Sequence, residues 1–447
     1  MHLNRAISKT LGMRLSLRAE LQMSNKKTQV HLSDLAGISR LAVGATIGIT
    51  DLAEALHNNI TGSPGIAGNP VQGRIGAISR LVYESVRGVA NLVGGTTDDV
   101  LNQFEPILTE PSSPKREAVL AALNGVVGDH LAATGNPLAI TMRLRRNGQP
   151  LTIERESLAA ALSAPSPTPS PVSRDKLLVM VHGLCLNDLQ WTQKSGDFEA
   201  ALARNLGYTI IHLHYNSGLH VSTNGRAFAA LLENLLEQWP VALKEFGILA
   251  HSMGGLVTRS AYHYGKAAGH GWPRRLQKLI FLGTPHHGTP LERVGNLIDI
   301  YLGVSPYSAP FARLGKVRSA GITDMRYGNV LDEDWQGVDR FEHVGDLRRP
   351  LPLPEAALSC AIAANVGKKA GGLIGDGMVS VDSALGRHKN PEMTLSFADS
   401  RQWIGYGMNH WDLLSRAEVH ERIMNWMGRA TARTRAQRDA RKSTRRG

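Results

Sequence analysis

The residue with the clearest chemical potential in this chain is Ser252, within the segment Ala250-His-Ser-Met-Gly-Gly255. A serine hydroxyl becomes a useful nucleophile when a neighbouring base takes its proton, and a tight strand-to-helix turn exposes it for this purpose. Such a turn needs small flanking residues because its backbone is strained, and Ala250, Gly254 and Gly255 are small. The pattern is therefore Gly-x-Ser-x-Gly with alanine in the first glycine position. The alternative is that Ser252 only caps the helix that follows.

An acid that orients the base is expected downstream of the serine. Asp376 is the preferred candidate because it lies between Gly375 and Gly377, which suit a loop that turns a carboxylate inward. Asp382 and Asp399 are the alternatives, and an ordinary loop position is the other interpretation of Asp376.

The base is predicted to be His410, in a short segment just before the last helix. Fourteen of the other sixteen histidines precede Asp376 and are on the wrong side for the order serine, acid, histidine. His388 and His420 are the two that compete with His410. His182 and His251 are expected to shape strand ends rather than to act chemically.

The strands and helices that position these residues are predicted from the apolar pattern. Short continuous apolar runs alternate with segments in which apolar residues have helical spacing. Such runs are typical of parallel strands buried on both faces, and the alternation predicts a mostly parallel α/β sheet with flanking helices. The predicted strands are 177–183, 209–214, the run ending at 250, 278–285, 358–365 and 393–398. The helical spacing is carried by Phe228, Leu231, Leu232, Leu235, Leu236 and Trp239.

A hairpin is predicted before the first parallel strand. Residues 138–144 and 150–153 flank Asn147-Gly148, a strong two-residue turn signal. They are expected to be the first antiparallel strands of the same sheet. The proline-rich run 165–171 is then an extended connection within the domain.

Six segments in this order resemble the α/β-hydrolase fold and, within it, bacterial triacylglycerol lipases and related esterases. The resemblance covers roughly residues 177–427. The segments are Val181-His-Gly-Leu184, Asn224-Gly-Arg226, Ala250-His-Ser-Met-Gly-Gly255, Gly283-Thr-Pro-His-His-Gly288, Asp376-Gly-Met-Val-Ser380 and Asn409-His-Trp-Asp412.

The resemblance implies a role for each residue of the predicted site. Ser252 would attack an ester carbonyl, His410 would take and return the proton, and Asp376 would orient the imidazole. The backbone N–H groups of Leu184 and Met253 would hold the oxyanion. No cofactor is expected. In some of these lipases an aspartate two residues after the histidine helps to bind calcium, which makes Asp412 a weak calcium candidate.

Two further regions accompany the hydrolase domain, which we predict to span 137–427. Residues 290–354 interrupt the strand pattern and are expected to form a cap or lid, with plain packing over the sheet as the alternative. Residues 34–135 form a predicted helical region, in which 37–52 and 77–92 look alike and a last helix runs from Ser113-Pro114 to about Gly135. Three roles are open for this helical region: it docks on the hydrolase domain, pairs with a partner, or lies at a bilayer surface.

The net charge of +12 lies entirely in the two ends of the chain. The first thirty residues hold six basic residues against one acidic residue, and residues 428–447 hold eight against one. We predict a flexible leader at 1–33, with Met23 as an alternative start, and a disordered tail at 428–447. Nucleic acid is not expected as a partner, whereas contact of the tails with anionic membrane is a hypothesis. Without a signal peptide or spanning helix, a cytoplasmic location is expected.

Only two cysteines, Cys185 and Cys360, occur among the 447 residues. A disulfide framework is therefore not expected, and both are predicted to be small buried apolar residues.

These patterns favour a serine hydrolase that cleaves hydrophobic, lipid-like carboxylic esters through an acyl-enzyme. An acyltransferase with the same catalytic residues is one alternative. A membrane-associated interaction protein built on an inactive hydrolase scaffold is another.

Overall fold

An eight-stranded sheet forms the centre of the protein. The computed structural model describes residues 113–164, 174–289, 319–338, 345–368 and 375–429. The strand order across the sheet is β2-β1-β4-β3-β5-β6-β7-β8. The strands are β1 (Arg143–Arg146), β2 (Gln149–Pro150), β3 (Lys176–Val181), β4 (Thr209–His214), β5 (Glu245–His251), β6 (Lys278–Leu282), β7 (Leu358–Asn365) and β8 (Gln402–Tyr406).

Strands β3 to β8 run parallel, and β1 is antiparallel to both β2 and β4. Parallel neighbours need crossover connections, and helices supply most of them. The central strands are almost entirely buried, as their continuous apolar runs require. The predicted mostly parallel α/β sheet with flanking helices is confirmed.

Helices flank the sheet, and one of them shows how its sequence pattern relates to burial. The longest in the sheet domain, Val221–Gln238, buries Phe228, Leu232, Leu235 and Leu236, four of the six residues whose spacing predicted it. The helices are α1 (Pro114–Ala133), α2 (Arg155–Ser163), α3 (Asp188–Ser195), α4 (Phe198–Leu206), α5 (Val221–Gln238), α6 (Met253–Ala267), α7 (Trp272–Arg275), α8 (Ala320–Asp324), α9 (Val381–Ala384) and α10 (Ala417–Gly428). None of the helices within the described ranges is long and apolar enough to cross a bilayer.

The predicted hairpin is confirmed, with shorter strands than expected. Asn147 and Gly148 have φ of 52° and 74°, the left-handed conformation that a tight two-residue turn demands. β1 pairs with β2 across this turn and with β4 on its other side. The hairpin thus extends one edge of the parallel sheet.

The predicted strand at 393–398 is wrong, and the true edge strand, β8, begins at Gln402. Residues Met393, Leu395 and Phe397 do alternate inward and are buried. Their backbone pairs with none of the eight strands that the structure describes, however, and the N–H of Leu395 bonds to the carbonyl of Gly386. The alternation therefore reports burial on one side and not membership of the sheet.

Helix α1 follows the prediction closely, because Pro114 occupies its first position and it ends shortly before Gly135. Its backbone leaves the helical conformation at Val127, where φ is −131° and ψ is 18°. Among the described residues, Leu120–His130 fall in the same unit as the sheet, whereas 113–119 and 131–139 fall in a second unit. The middle of α1 therefore belongs to the unit that contains the sheet.

Several predicted regions lie outside the described residues. These are the leader at 1–33, the helices of 34–112, the proline-rich run 165–171 and the tail after 429. Of the predicted cap, 319–338 and 345–354 are described, and these parts contain α8 and a short 3-10 helix at Asp332–Asp334 but no strand. That this region acts as a lid stays a prediction, as do the domain boundaries.

Candidate active site

Ser252 lies on a sharp turn between β5 and α6. Its φ of 54° and ψ of −127° are strained for a residue with a side chain, and such strain is characteristic of functional positions. The turn is held by a hydrogen bond of 2.8 Å from its backbone N–H to the carbonyl of Leu282, on β6. The side chain of Ser252 is buried.

The small residues after Ser252 are required by close contacts with the neighbouring strand and loop. A Cβ on Gly254 would lie 2.5 Å from the carbonyl oxygens of both Val181 and His182. A Cβ on Gly255 would lie 2.0 Å from Oγ1 of Thr284. Helix α6 therefore starts against the ends of β3 and β6, which a larger residue would prevent.

Asp376 and His410 form a buried pair. Nδ1 of His410 lies 2.6 Å from Oδ2 of Asp376. Oδ1 of the same carboxylate accepts hydrogen bonds from the backbone N–H groups of Met378 (2.9 Å) and Val379 (2.7 Å). The carboxylate is therefore fixed on both oxygens and orients the imidazole.

His410 and Ser252 both lie at the carboxyl ends of β5 and β6. The rings of His410 and His251, the residue before Ser252, have centroids 4.8 Å apart. A Cβ on Gly283 would lie 3.1 Å from Nδ1 and Cε1 of His410, while the preceding Leu282 binds Ser252 through its carbonyl. The structure thus brings the three predicted catalytic residues to the end of the sheet where the parallel strands have their carboxyl ends.

The alternative acids lie elsewhere. The side chain of Asp382 is 70% exposed and pairs with Arg387 at 3.6 Å. Asp399 begins an exposed 3-10 helix, Asp399–Arg401. Neither carboxylate has the fixed, buried setting of Asp376.

The alternative bases have other partners. Nε2 of His388 lies 3.8 Å from the carboxylate of Asp346. His420 stacks on Phe198 with ring centroids 4.2 Å apart, and its Nε2 lies 3.0 Å from the carbonyl of Leu414. Both therefore fit structural roles.

The predicted oxyanion donors flank the serine. Met253 is the first residue of α6. Leu184 follows Gly183, where a Cβ would lie 2.9 Å from Cβ of Ser252. The loop after β3 consequently packs directly on the turn of Ser252, and the oxyanion role of Leu184 and Met253 stays a prediction.

His182 and His251 are buried beside this site without acting on it as charged groups. Burial is the main cause that lowers the pKa of His182 to about 4. Burial, followed by the charge of His410, holds the pKa of His251 well below 6.5. Both imidazoles are therefore neutral at pH 7, in agreement with the expected role of shaping the strand ends.

Cys185 also belongs to the loop after β3. Cys185 and Cys360 are both free and buried, as predicted. Burial raises the pKa of each thiol to about 12, so neither is a reactive thiolate at neutral pH.

The calcium candidate, Asp412, makes local contacts. Its Oδ2 accepts a hydrogen bond of 2.8 Å from the N–H of Asn409, and its Oδ1 lies 4.0 Å from Nε of Arg416. Within the part of the chain that the structure describes, no group of three or more His, Cys, Asp or Glu residues could hold a metal ion. These contacts place Asp412 in the turn that presents His410, and calcium binding by Asp412 stays a prediction.

The sequence alone does not mark two polar residues near the site, Tyr215 and Ser217, whose hydroxyls bond to the loop after β3. They follow β4 without a local motif. The parallel register of β3 and β4, with Val181 opposite Leu213, is what brings them beside this loop.

Comparisons with known proteins give one family and several solved structures. A family model described as a domain of unknown function (DUF7379) matches residues 146–325, less than half of the chain. A Bacillus licheniformis lipase in its mature form is 18% identical, with a TM-score of 0.39 over 59% of this chain and 96% of its own. Aspergillus fumigatus lipase B is 12% identical, with a TM-score of 0.39 over 63% of this chain and 59% of its own.

The Legionella pneumophila phospholipase PlaB is 14% identical, with a TM-score of 0.37. That alignment covers 58% of this chain and 61% of the phospholipase. A search of curated proteins gave no match.

Proposed function

We propose that this protein is a serine hydrolase that cleaves carboxylic esters through an acyl-enzyme. The observation that carries the proposal is the strained Ser252 at the end of β5, next to a buried His410–Asp376 pair with a 2.6 Å contact. A nucleophile, a base and a residue that orients the base are the three parts that such chemistry needs.

In the first half of the reaction, Oγ of Ser252 attacks the ester carbonyl and Nε2 of His410 takes the hydroxyl proton. Asp376 keeps Nδ1 of His410 protonated and stabilises the imidazolium that forms. The tetrahedral intermediate then expels the alcohol, which receives the proton from His410. Ser252 is left acylated.

In the second half, water attacks the acyl-enzyme while His410 takes one of its protons. The proton returns to Ser252 as the acid leaves, and the enzyme is restored. In both tetrahedral intermediates the negative oxygen accepts hydrogen bonds from the N–H groups of Leu184 and Met253. Each such donor lowers the barrier by about 3 kcal/mol.

The surroundings of the pair favour a hydrophobic ester. The ring of Trp411 lies 5.9 Å from that of His410, centroid to centroid. Cδ1 of Leu413 lies 2.7 Å from the position of a Cβ on Gly283, beside the same imidazole. The buried side chain of Met253 adds to this apolar setting. We propose that the substrate carries a hydrophobic acyl chain, which the chain-length series below tests.

The test is hydrolysis of p-nitrophenyl esters from acetate to palmitate by the wild type, Ser252→Ala and Ser195→Ala. Ser195 is a matched control because it is a buried serine on α3 whose hydroxyl bonds to the carbonyl of Thr192. We expect Ser252→Ala to lower kcat about a thousandfold or more and Ser195→Ala to retain activity. Equal rates for Ser252→Ala and the wild type would contradict the proposal.

A further inference from the structure

We propose that Tyr215 and Ser217 are positioning residues that fix the orientation of the Leu184 N–H in the oxyanion site. The inference rests on the proposed function, because it assigns a role within that reaction. Its basis is a pair of hydrogen bonds that hold the loop after β3 on either side of Leu184.

The first bond is made by Tyr215. Its hydroxyl donates to the carbonyl of His182, two residues before Leu184, at 2.8 Å. Its ring also stacks on the imidazole of His182, with centroids 4.4 Å apart and 22° between the planes. Tyr215 is only 1% exposed, so this contact is shielded from water. The peptide plane that enters the turn is thereby fixed.

The second bond is made by Ser217. Its Oγ accepts a hydrogen bond of 3.1 Å from the N–H of Cys185, the residue after Leu184. Cys185 has φ of 56°, a conformation that costs free energy for a residue with a side chain. The bond from Ser217 helps to hold this conformation. The Leu184 N–H belongs to the Gly183–Leu184 peptide, and the peptide planes on either side of it are thus both anchored to one short segment.

That segment, residues 215–218, is itself fixed to the rest of the sheet-containing unit. Nδ2 of Asn216 donates to the carbonyl of Gly128, on α1, at 2.8 Å. The carbonyl of Gly218 accepts from the N–H of Gly321, on α8, at 3.0 Å. The segment can therefore act as a rigid support for the loop after β3, and backbone donors need such support to stay in place during the reaction.

A role in positioning and a role in stability alone give different kinetics. A displaced N–H weakens binding of the tetrahedral intermediate more than binding of the ester, so kcat falls while KM is retained. A loss of stability without displacement changes the melting temperature and leaves the kcat of the folded enzyme unchanged. The turn also keeps its own bond from the N–H of Leu186 to the carbonyl of Gly183 (3.4 Å), which favours folding of the variants.

The experiment compares Tyr215→Phe and Ser217→Ala with Tyr208→Phe in the full chain. Tyr208 and Tyr215 flank the same strand, β4, and both are buried. The hydroxyl of Tyr208 donates to Glu245 at 2.6 Å and accepts from Nζ of Lys278 at 3.1 Å, at the end of the sheet away from Ser252. Tyr208→Phe therefore removes buried hydrogen bonds of a tyrosine hydroxyl without touching the loop after β3. The readouts are kcat and KM with a p-nitrophenyl ester, the melting temperature, and inhibition by an arylboronic acid that forms a tetrahedral adduct on serine.

We expect each of Tyr215→Phe and Ser217→Ala to lower kcat about tenfold with KM within twofold, and to weaken boronate inhibition by a similar factor. Tyr208→Phe should lower the melting temperature alone. Wild-type kcat and boronate affinity in both test variants would overturn this inference and leave the proposed function standing. Absence of Ser252-dependent hydrolysis in the wild type would overturn both.

Discussion

Two closely bonded histidine–aspartate pairs of this protein differ sharply in their surroundings. In one, Nδ1 of His410 lies 2.6 Å from Asp376, beside the strained Ser252. In the other, Nδ1 of His220 lies 3.0 Å from the buried Asp324. An imidazole held by a buried carboxylate is therefore not by itself evidence of catalysis. What distinguishes the first pair is the strained turn of Ser252 next to it.

The second pair is built into a structural junction. The ring of His220 stacks on Trp335 with centroids 3.6 Å apart and 7° between the planes. Asp324 also accepts the backbone N–H of Val221 at 2.8 Å, and Nε1 of Trp335 donates to Oγ of Ser222 at 2.9 Å. These contacts attach the segment 319–338 to the start of α5. We interpret the pair as an anchor for that segment.

Replacing the two histidines in turn should separate catalysis from anchoring. We expect His410→Ala to lower kcat about a thousandfold or more, because the base is lost. His220→Ala should reduce kcat only a few-fold and act mainly on the melting temperature. Ester hydrolysis and thermal unfolding of both variants check this, and similar kinetic losses in the two would remove the distinction between the pairs.

His286 differs from His410 and His220 because no carboxylate of the described residues holds its ring. It is fully buried near Phe281 and Phe397, and neither of its ring nitrogens has a hydrogen-bond partner among the residues that the structure describes. Burial, followed by the charge of Arg259, holds the pKa of His286 well below 6.5. The unfolded chain takes up a proton near pH 6.5 whereas the folded protein does not. The neutral imidazole of His286 therefore costs no stability above pH 6.5. Below that pH the unfolded chain is favoured because it binds the proton, so the folded protein loses stability as the pH falls.

From pH 7 to pH 5, this group should lower the free energy of unfolding by about 2 kcal/mol. His286→Phe removes the proton-binding group and retains an aromatic ring, so its stability should fall less over the same interval. Urea unfolding of the two proteins at both pH values measures the difference. Identical pH dependence would show that the imidazole of His286 is not held neutral.

The last comparison concerns the anchor itself. Asp324→Ala leaves His220 and the N–H of Val221 without their acceptor, and should lower the free energy of unfolding by about 1–3 kcal/mol. Asp332→Ala is the matched control on the same segment. Asp332 pairs with Arg226, whose side chain is 49% exposed, so its loss should cost about 1 kcal/mol or less. Equal losses in urea unfolding would contradict the anchoring role of Asp324.

The contrast between the pairs also explains what the sequence could predict. Ser252, Asp376 and His410 each lie in a short segment with its own signal: small residues around a turn, glycines around a loop acid, and a histidine before the last helix. The parallel strands were predictable because burial on both faces produces uninterrupted apolar runs. These features are local in the chain.

The features that the sequence does not predict depend on contacts between distant parts of the chain. His220 and Asp324 are 104 residues apart, and Tyr215 reaches His182 across 33 residues. No spacing rule connects such residues before the fold is known. The edge strand β8 was missed for a related reason, because alternation at Leu395 and Phe397 reveals which side is buried and not which backbone pairs with β7.

The central claim is that Ser252 is a nucleophile activated by the pair beside it. The most direct measurement is incubation of the folded wild type and of Ser252→Ala, His410→Ala and His220→Ala with a fluorophosphonate, followed by mass spectrometry of the intact chain and its peptides. We predict one adduct per chain on Ser252 in the wild type and in His220→Ala, much slower labelling in His410→Ala, and none in Ser252→Ala. An adduct on another residue, or equal labelling rates in His410→Ala and the wild type, would contradict the claim.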